Sequence, residues 1–193
     1  MTFFLSLLLL AAPAIKTEHG QFNITKDGKT IGTDEFTVSR HESNYVLEGK
    51  TTIGNLTMTS RLELTEKLVP VSYELKTSGG TTRVNIAAPL SELQTVINGQ
   101  TDTANFRFPE DGVILDNNLF HQYLILMYRV QDGQTMFPIF VPQDRRLGNA
   151  NVHSTGPRTY ELEIGDVKMQ ATVDADGTLR KLAVPAANVV VER

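Results

Sequence analysis

A two-residue hydrophobic period, recurring between turn signals, constrains this chain more than any other feature. In one run Leu56, Met58, Leu62 and Leu64 share a parity, while Thr57, Thr59, Arg61, Glu63 and Thr65 occupy the other. Strand side chains alternate between two faces, so such a run buries one face and wets the other. The same period returns in Val71, Tyr73 and Leu75, in Val84 and Ile86, and in Ala104, Phe106 and Phe108. It returns again in Tyr160, Leu162 and Ile164, and in Val167, Met169, Ala171 and Val173. Asp27-Gly28 and Asn98-Gly99 sit between alternating runs and accept positive φ at both central turn positions, the signature of tight hairpins. The chain therefore reads as mainly β, an antiparallel meander of roughly ten to twelve strands. No linker-like stretch or composition shift divides it, so residues 15–193 are expected to form one domain.

One segment breaks the period. Residues 116–130, DNNLFHQYLILMYRV, open with Asp116 or Asn117 as an N-cap and contain no Gly or Pro. At helical spacing Phe120, Tyr123, Leu124 and Met127 share a face with Leu119 and Val130, which predicts one wide-faced amphipathic helix near 117–130. Such a helix is expected to plug the concave side of a curled sheet, and it is also placed to line or gate a pocket.

The first fourteen residues, MTFFLSLLLLAAPA, carry no charged side chain and have an apolar run of secretory rather than membrane-spanning length. With Ala12-Pro13-Ala14 as the small residues of a cleavage site, residues 1–14 read as a signal peptide, although its start lacks Lys and Arg. The expected product is exported, periplasmic or extracellular, and soluble, because no later apolar run is long enough to span a bilayer. The absence of cysteine removes disulfides, thiolate chemistry and covalent lipid anchoring at a Cys. Eighteen basic residues against 22 acidic ones, a net charge of -4, argue against a nucleic-acid footprint.

Catalytic and metal-binding patterns are scarce. His19, His41, His121 and His153 are far apart and form no two-ligand helical pair, so no metal site and no cofactor are expected. His121 stands out because Asp116, about one helical turn earlier, is placed to orient it. No G-x-S-x-G or phosphate-binding glycine loop is present, and Asp174 and Asp176 read as turn residues. Asp34 and Glu35 fall on opposite faces of a strand. No catalytic residue is assigned.

After the helix, Met136, Phe137, Ile139, Phe140 and Val141 are apolar on both parities and are interrupted by Pro138 and Pro142. Arg145-Arg146 follows. A guanidinium pair beside an apolar wall suits the head group of an anionic amphiphile. The expected ligand-binding corner therefore combines Phe120, His121, Leu124 and Met127 with Phe137, Phe140, Arg145 and Arg146.

A leader, a long antiparallel meander, a central helical interruption and the closing element DADGTLRKLAVP resemble exported bacterial proteins of the outer-membrane lipoprotein carrier type, the LolA, LolB and LppX group. The opening hairpin GQFNITKDGKTIGTDEF and the segment VPVSYEL look especially like exported families of unknown function assigned to that fold. The resemblance implies a strongly curved half-barrel whose concave face, covered by helix, holds acyl chains. It transfers no catalytic motif, and it differs from the carriers in having one convincing covering helix and no anchoring Cys. The expected function is non-catalytic binding of an apolar or amphiphilic, lipid-like ligand, or of a partner. The alternatives are a cofactor-independent enzyme around His121 and Arg145/Arg146, or a ligand-free interaction module. Nothing in the sequence fixes the oligomeric state.

Overall fold

The alternating runs fold into hairpin-linked strands. The computed structural model describes residues 15–131 and 133–193, so the leader expected over residues 1–14 lies outside the described residues. The first eight strands are β1 (Glu18–Lys26), β2 (Lys29–His41), β3 (Asn44–Ile53), β4 (Leu56–Leu64), β5 (Pro70–Thr77), β6 (Gly80–Asn85), β7 (Ser91–Ile97) and β8 (Gln100–Phe106). After β9 (Val113–Ile114) comes helix α1 (Tyr123–Val130), then β10 (Met136–Val141), β11 (Arg146–Gly156), β12 (Thr159–Ile164), β13 (Val167–Val173), β14 (Leu179–Val184) and β15 (Val189–Glu192). The turns behave as their residues dictate: Asp27 and Gly28 have φ of 50° and 75°, and Asn98 and Gly99 have φ of 51° and 77°.

All fifteen strands described belong to one sheet, ordered β8-β7-β6-β5-β4-β3-β2-β1-β15-β14-β13-β12-β11-β10-β9. Sequence neighbours pair antiparallel, except that β1 also pairs with β15 and β9 runs parallel to β10. There are more strands than the alternation predicts, because two-residue β9 and four-residue β15 are too short to display a period, and β10 is apolar on both parities. The β1–β15 joint is clamped by Glu18 and Arg193, which form two hydrogen bonds at 2.8 and 3.0 Å. The Arg193 guanidinium also lies 4.8 Å from the Phe36 ring centre and 5.3 Å from that of Phe22.

The sheet curls until its two ends meet through side chains, with no backbone ladder between β8 and β9. Phe106 of β8 stacks on Phe140 of β10 with ring centres 4.3 Å apart, and Phe108 approaches both rings edge-on at 6.4 Å. Beside them, Arg145 bonds Asp102 at 2.7 Å.

The covering helix is shorter than the predicted 117–130. Asn118 adopts a left-handed φ of 62°, a short 3-10 turn spans Phe120–Gln122, and regular helix begins at Tyr123. Neither segment has a side-chain cap: the N-cap positions fall on Leu119 and Gln122 rather than on Asp116 or Asn117. Leu124 through Arg129 are all buried, so α1 is a plug within the curl rather than an amphipathic surface helix. No helix among the described residues is long and apolar enough to cross a membrane.

Phe140 is 2% exposed and joins the two sheet ends. Phe140→Ala is expected to cost about 3–5 kcal/mol in urea denaturation. It should also accelerate amide exchange in β7 and β8 relative to β2 and β3.

Candidate functional site

The segment that carries the plug is fixed to the sheet by a buried polar chain. Asp34 and Thr51 are register partners on β2 and β3, and Gly49 faces Ser60 across β3 and β4. Asp34 Oδ1 accepts hydrogen bonds from Thr51 Oγ1 and from His121 Nδ1, each at 2.8 Å, and Oδ2 accepts from the His121 backbone N–H at 2.7 Å. His121 Nε2 lies 2.8 Å from Ser60 Oγ. With the carboxylate accepting, Nδ1 carries the ring proton, and the Ser60 hydroxyl donates to Nε2 in the neutral tautomer. The carboxylate that orients His121 is thus Asp34 of β2, not Asp116. Gly49 makes the packing feasible, since a Cβ there would overlap the imidazole ring.

Carboxylate, imidazole and hydroxyl at these spacings reproduce the order of a nucleophile relay. Here, however, Asp34 and His121 are fully buried and Ser60 is only 6% exposed. The chain as folded is a tether that satisfies buried polar groups and fixes the helix segment on the sheet.

A second cluster centres on Asp116, at the entrance to the same segment. Its Oδ2 accepts from the Tyr73 hydroxyl at 2.8 Å, and its Oδ1 accepts from the backbone N–H groups of Gln143 at 3.1 Å and Asn117 at 3.2 Å. The Asp116 N–H donates to Gln122 Oε1, while Gln122 Nε2 is buried without a hydrogen-bond partner. Burial pushes the Asp116 carboxyl up to about 6, against the lowering effect of its three donors, and pushes the Tyr73 phenol up as well.

The expected ligand corner divides between core and opening. His121, Leu124, Met127, Phe137 and Phe140 are 0–2% exposed and pack in the interior. Half-buried Phe120 lines a pocket of about 190 Å³ between the helix segment and β10–β14, with Asp116, Tyr123, Ile139, Met169 and Val184. Arg146 lines an adjoining notch of about 570 Å³. Arg145 is not beside it in function: its guanidinium turns to Asp102 and Thr95 at the meeting of the sheet ends, where a separate groove of about 460 Å³ opens. The two guanidinium groups therefore do not form a joint clamp.

The notch follows from register. β11 begins at Arg146, but β12 ends at Ile164 opposite Ala150, so residues 146–149 project beyond the β12–β13 turn with only β10 as partner. Pocket and notch share Asn117, Ile139, Val141, Ile164 and Val167, and so adjoin one another. Tyr123 contributes a hydroxyl that makes no hydrogen bond among the described residues. A further depression of about 370 Å³ lies on the outer face over Gly49 and Ser60; among its charged walls Arg61 pairs with Glu48 and Lys76 with Glu74.

Sequence reading missed Asp34, Ser60, Tyr73 and Gln122. The signal available was polarity at inward positions of apolar-patterned strands: Asp34 and Ser60 interrupt stripes that otherwise bury Phe36, Val38, Met58 and Leu62. Comparison with protein-family models, curated proteins and solved structures finds no match to this chain.

Gly49→Ala should destabilise the fold by about 1–3 kcal/mol through overpacking against His121, with displaced His121 ring signals in NMR spectra. For Asp116 the folded-state carboxyl binds its proton more tightly than the unfolded one, so its contribution favours folding at low pH and is lost as pH rises from about 4 through about 6. Relative to Asp116→Asn, the wild type should lose about 3 kcal/mol of stability across that window, read by denaturation at successive pH values.

Proposed function

We propose that this chain is an exported, non-catalytic binding protein that holds an apolar or amphiphilic, lipid-like molecule on the inner face of a strongly curved half-barrel of the lipoprotein carrier type. The observation that carries this reading is the adjoining pocket and notch beside the helix segment. The inner end is walled by Phe120, Ile139, Met169 and Val184, and the outer end by Arg146 and the amides of Asn149 and Asn151. A mainly apolar recess, with Asp116 and Asn117 in its wall, leading to a polar rim suits a molecule with an apolar tail and a hydrated head. At the rim Arg146 is accompanied by Asp144 and Asp166, so apolar complementarity rather than one sign of charge provides the selection. The uncharged leader-like residues 1–14 support export, and a single curled sheet plugged by one helix supports the half-barrel reading.

The buried Asp34–His121–Ser60 chain supports the same reading, because it holds the helix segment that forms one wall of the recess. Metal ions and cofactors have no part in the binding proposed.

Native mass spectrometry of protein purified from a periplasmic fraction, followed by lipid extraction, should recover a stoichiometric amphiphile, and the protein should bind a fluorescent fatty acid. Ile164 lines both parts of the opening and is only half-buried, so Ile164→Trp should weaken the fluorescent probe at least about tenfold while the fold persists. Absence of copurified amphiphile together with no probe binding would refute this function.

A further inference from the structure

Asp116 stands where the binding opening meets the interior. The residue lines the pocket and is only 4% exposed. The groups facing it from every packed element are few: the Tyr73 hydroxyl from β5, the Gln122 amide from the 3-10 turn, and the backbone N–H groups of Asn117 and Gln143. Asp144, in the same turn as Gln143, adds a like charge. No cation pairs with it among the described residues: Arg145 is committed to Asp102, and Arg146 lines the notch. A carboxylate in this position is stabilised by three hydrogen-bond donors and by whatever solvent the pocket admits. A hydrocarbon placed against it removes the water and leaves the donors unchanged.

We propose that the pocket takes an uncharged apolar group and that its binding is coupled to proton uptake by Asp116, so that the protein holds its ligand more tightly in acid than in neutral solution. The inference rests on the binding function proposed above and specifies the chemistry at its inner end. One proton from solvent joins Asp116 Oδ2, forming one O–H bond; the hydrogen bond to Tyr73 then reverses, with Oδ2–H donating to the phenol oxygen and the phenol hydrogen turning away from Oδ2, while Oδ1 keeps the Gln143 and Asn117 donors. No other covalent bond is made or broken.

The test uses 1-octanol, which does not titrate, and octylamine, a cation, as probes of the whole protein by calorimetry between pH 5.0 and 7.5. Octanol affinity is expected to rise roughly tenfold from pH 7.5 to pH 5.0, following the protonated fraction of Asp116. The carbon-13 titration of the Asp116 carboxyl should move to higher pH when octanol is added. Asp116→Asn should bind octanol with a flat pH profile, whereas Asp144→Asn, which removes the neighbouring like charge, should keep a pH dependence but move it to lower pH. Should Asp116→Asn not fold, the carboxyl titration of the wild type decides the question alone. Octanol binding that is independent of pH, with the Asp116 titration unmoved, overturns the coupling and leaves the binding function standing. Preferential octylamine binding that strengthens as pH rises also overturns it, by showing that the carboxylate serves as a counter-ion. If neither probe binds at any pH, both the coupling and the binding function fall.

Discussion

The Asp34 carboxylate is the point on which the interior depends. A fifteen-stranded curled sheet offers a long inner face, and the single helix that covers part of it has only eight residues and no side-chain cap. A helix so short has little stability of its own, and its placement must come from tertiary contacts. Asp34 supplies them from one side chain, accepting from the neighbouring strand through Thr51 and from both the backbone and the ring of His121. With that anchor in place, Leu124, Met127 and their neighbours fill the curl, and the preceding residues 116–120 come to rest along the open side.

Two buried carboxylates in this arrangement face different surroundings. Asp34 is fully buried, enclosed by donors and by the imidazole, while Asp116 has three donors but also a place in a pocket wall. The first fixes geometry and the second lies where a bound molecule alters its solvation. Polar groups inside an apolar curl are costly unless each finds a partner, and here almost all do; the Gln122 amide nitrogen is an exception, close to Asp116. That local shortfall falls at the same corner as the opening, in keeping with binding sites being places where the rules of a well-satisfied core are relaxed.

The fold was largely legible because the information needed was local. Alternation in β4, β5, β12 and β13 and the Asp27-Gly28 and Asn98-Gly99 turns specify hairpins through geometry that adjacent residues alone determine. The helix boundary was not, since Asn118 enters the left-handed region under the pull of the Asp116 contacts, which join it to Tyr73 and Gln143. The site was only partly legible for the same reason. Phe120 and Arg146 declare themselves by type and do line the opening, but the partnership of Asp34 with His121 spans 87 positions and leaves no periodic trace. Adjacent in sequence, Arg145 and Arg146 diverge because Arg145 takes a left-handed φ of 53° at the end of the turn.

The pairing of β1 with β15 sets the order in which the molecule can be completed. Every antiparallel hairpin from β1 to β8 forms between sequence neighbours and can assemble as the chain emerges during synthesis. The other edge of β1 has to wait for residues 189–192, which follow all the other described strands in the chain. Until then a folded meander carries an open strand edge, the template for association with another chain. The four rungs from Asn23–Glu192 to Lys26–Val189 therefore act late, closing a surface through which nascent copies would otherwise aggregate.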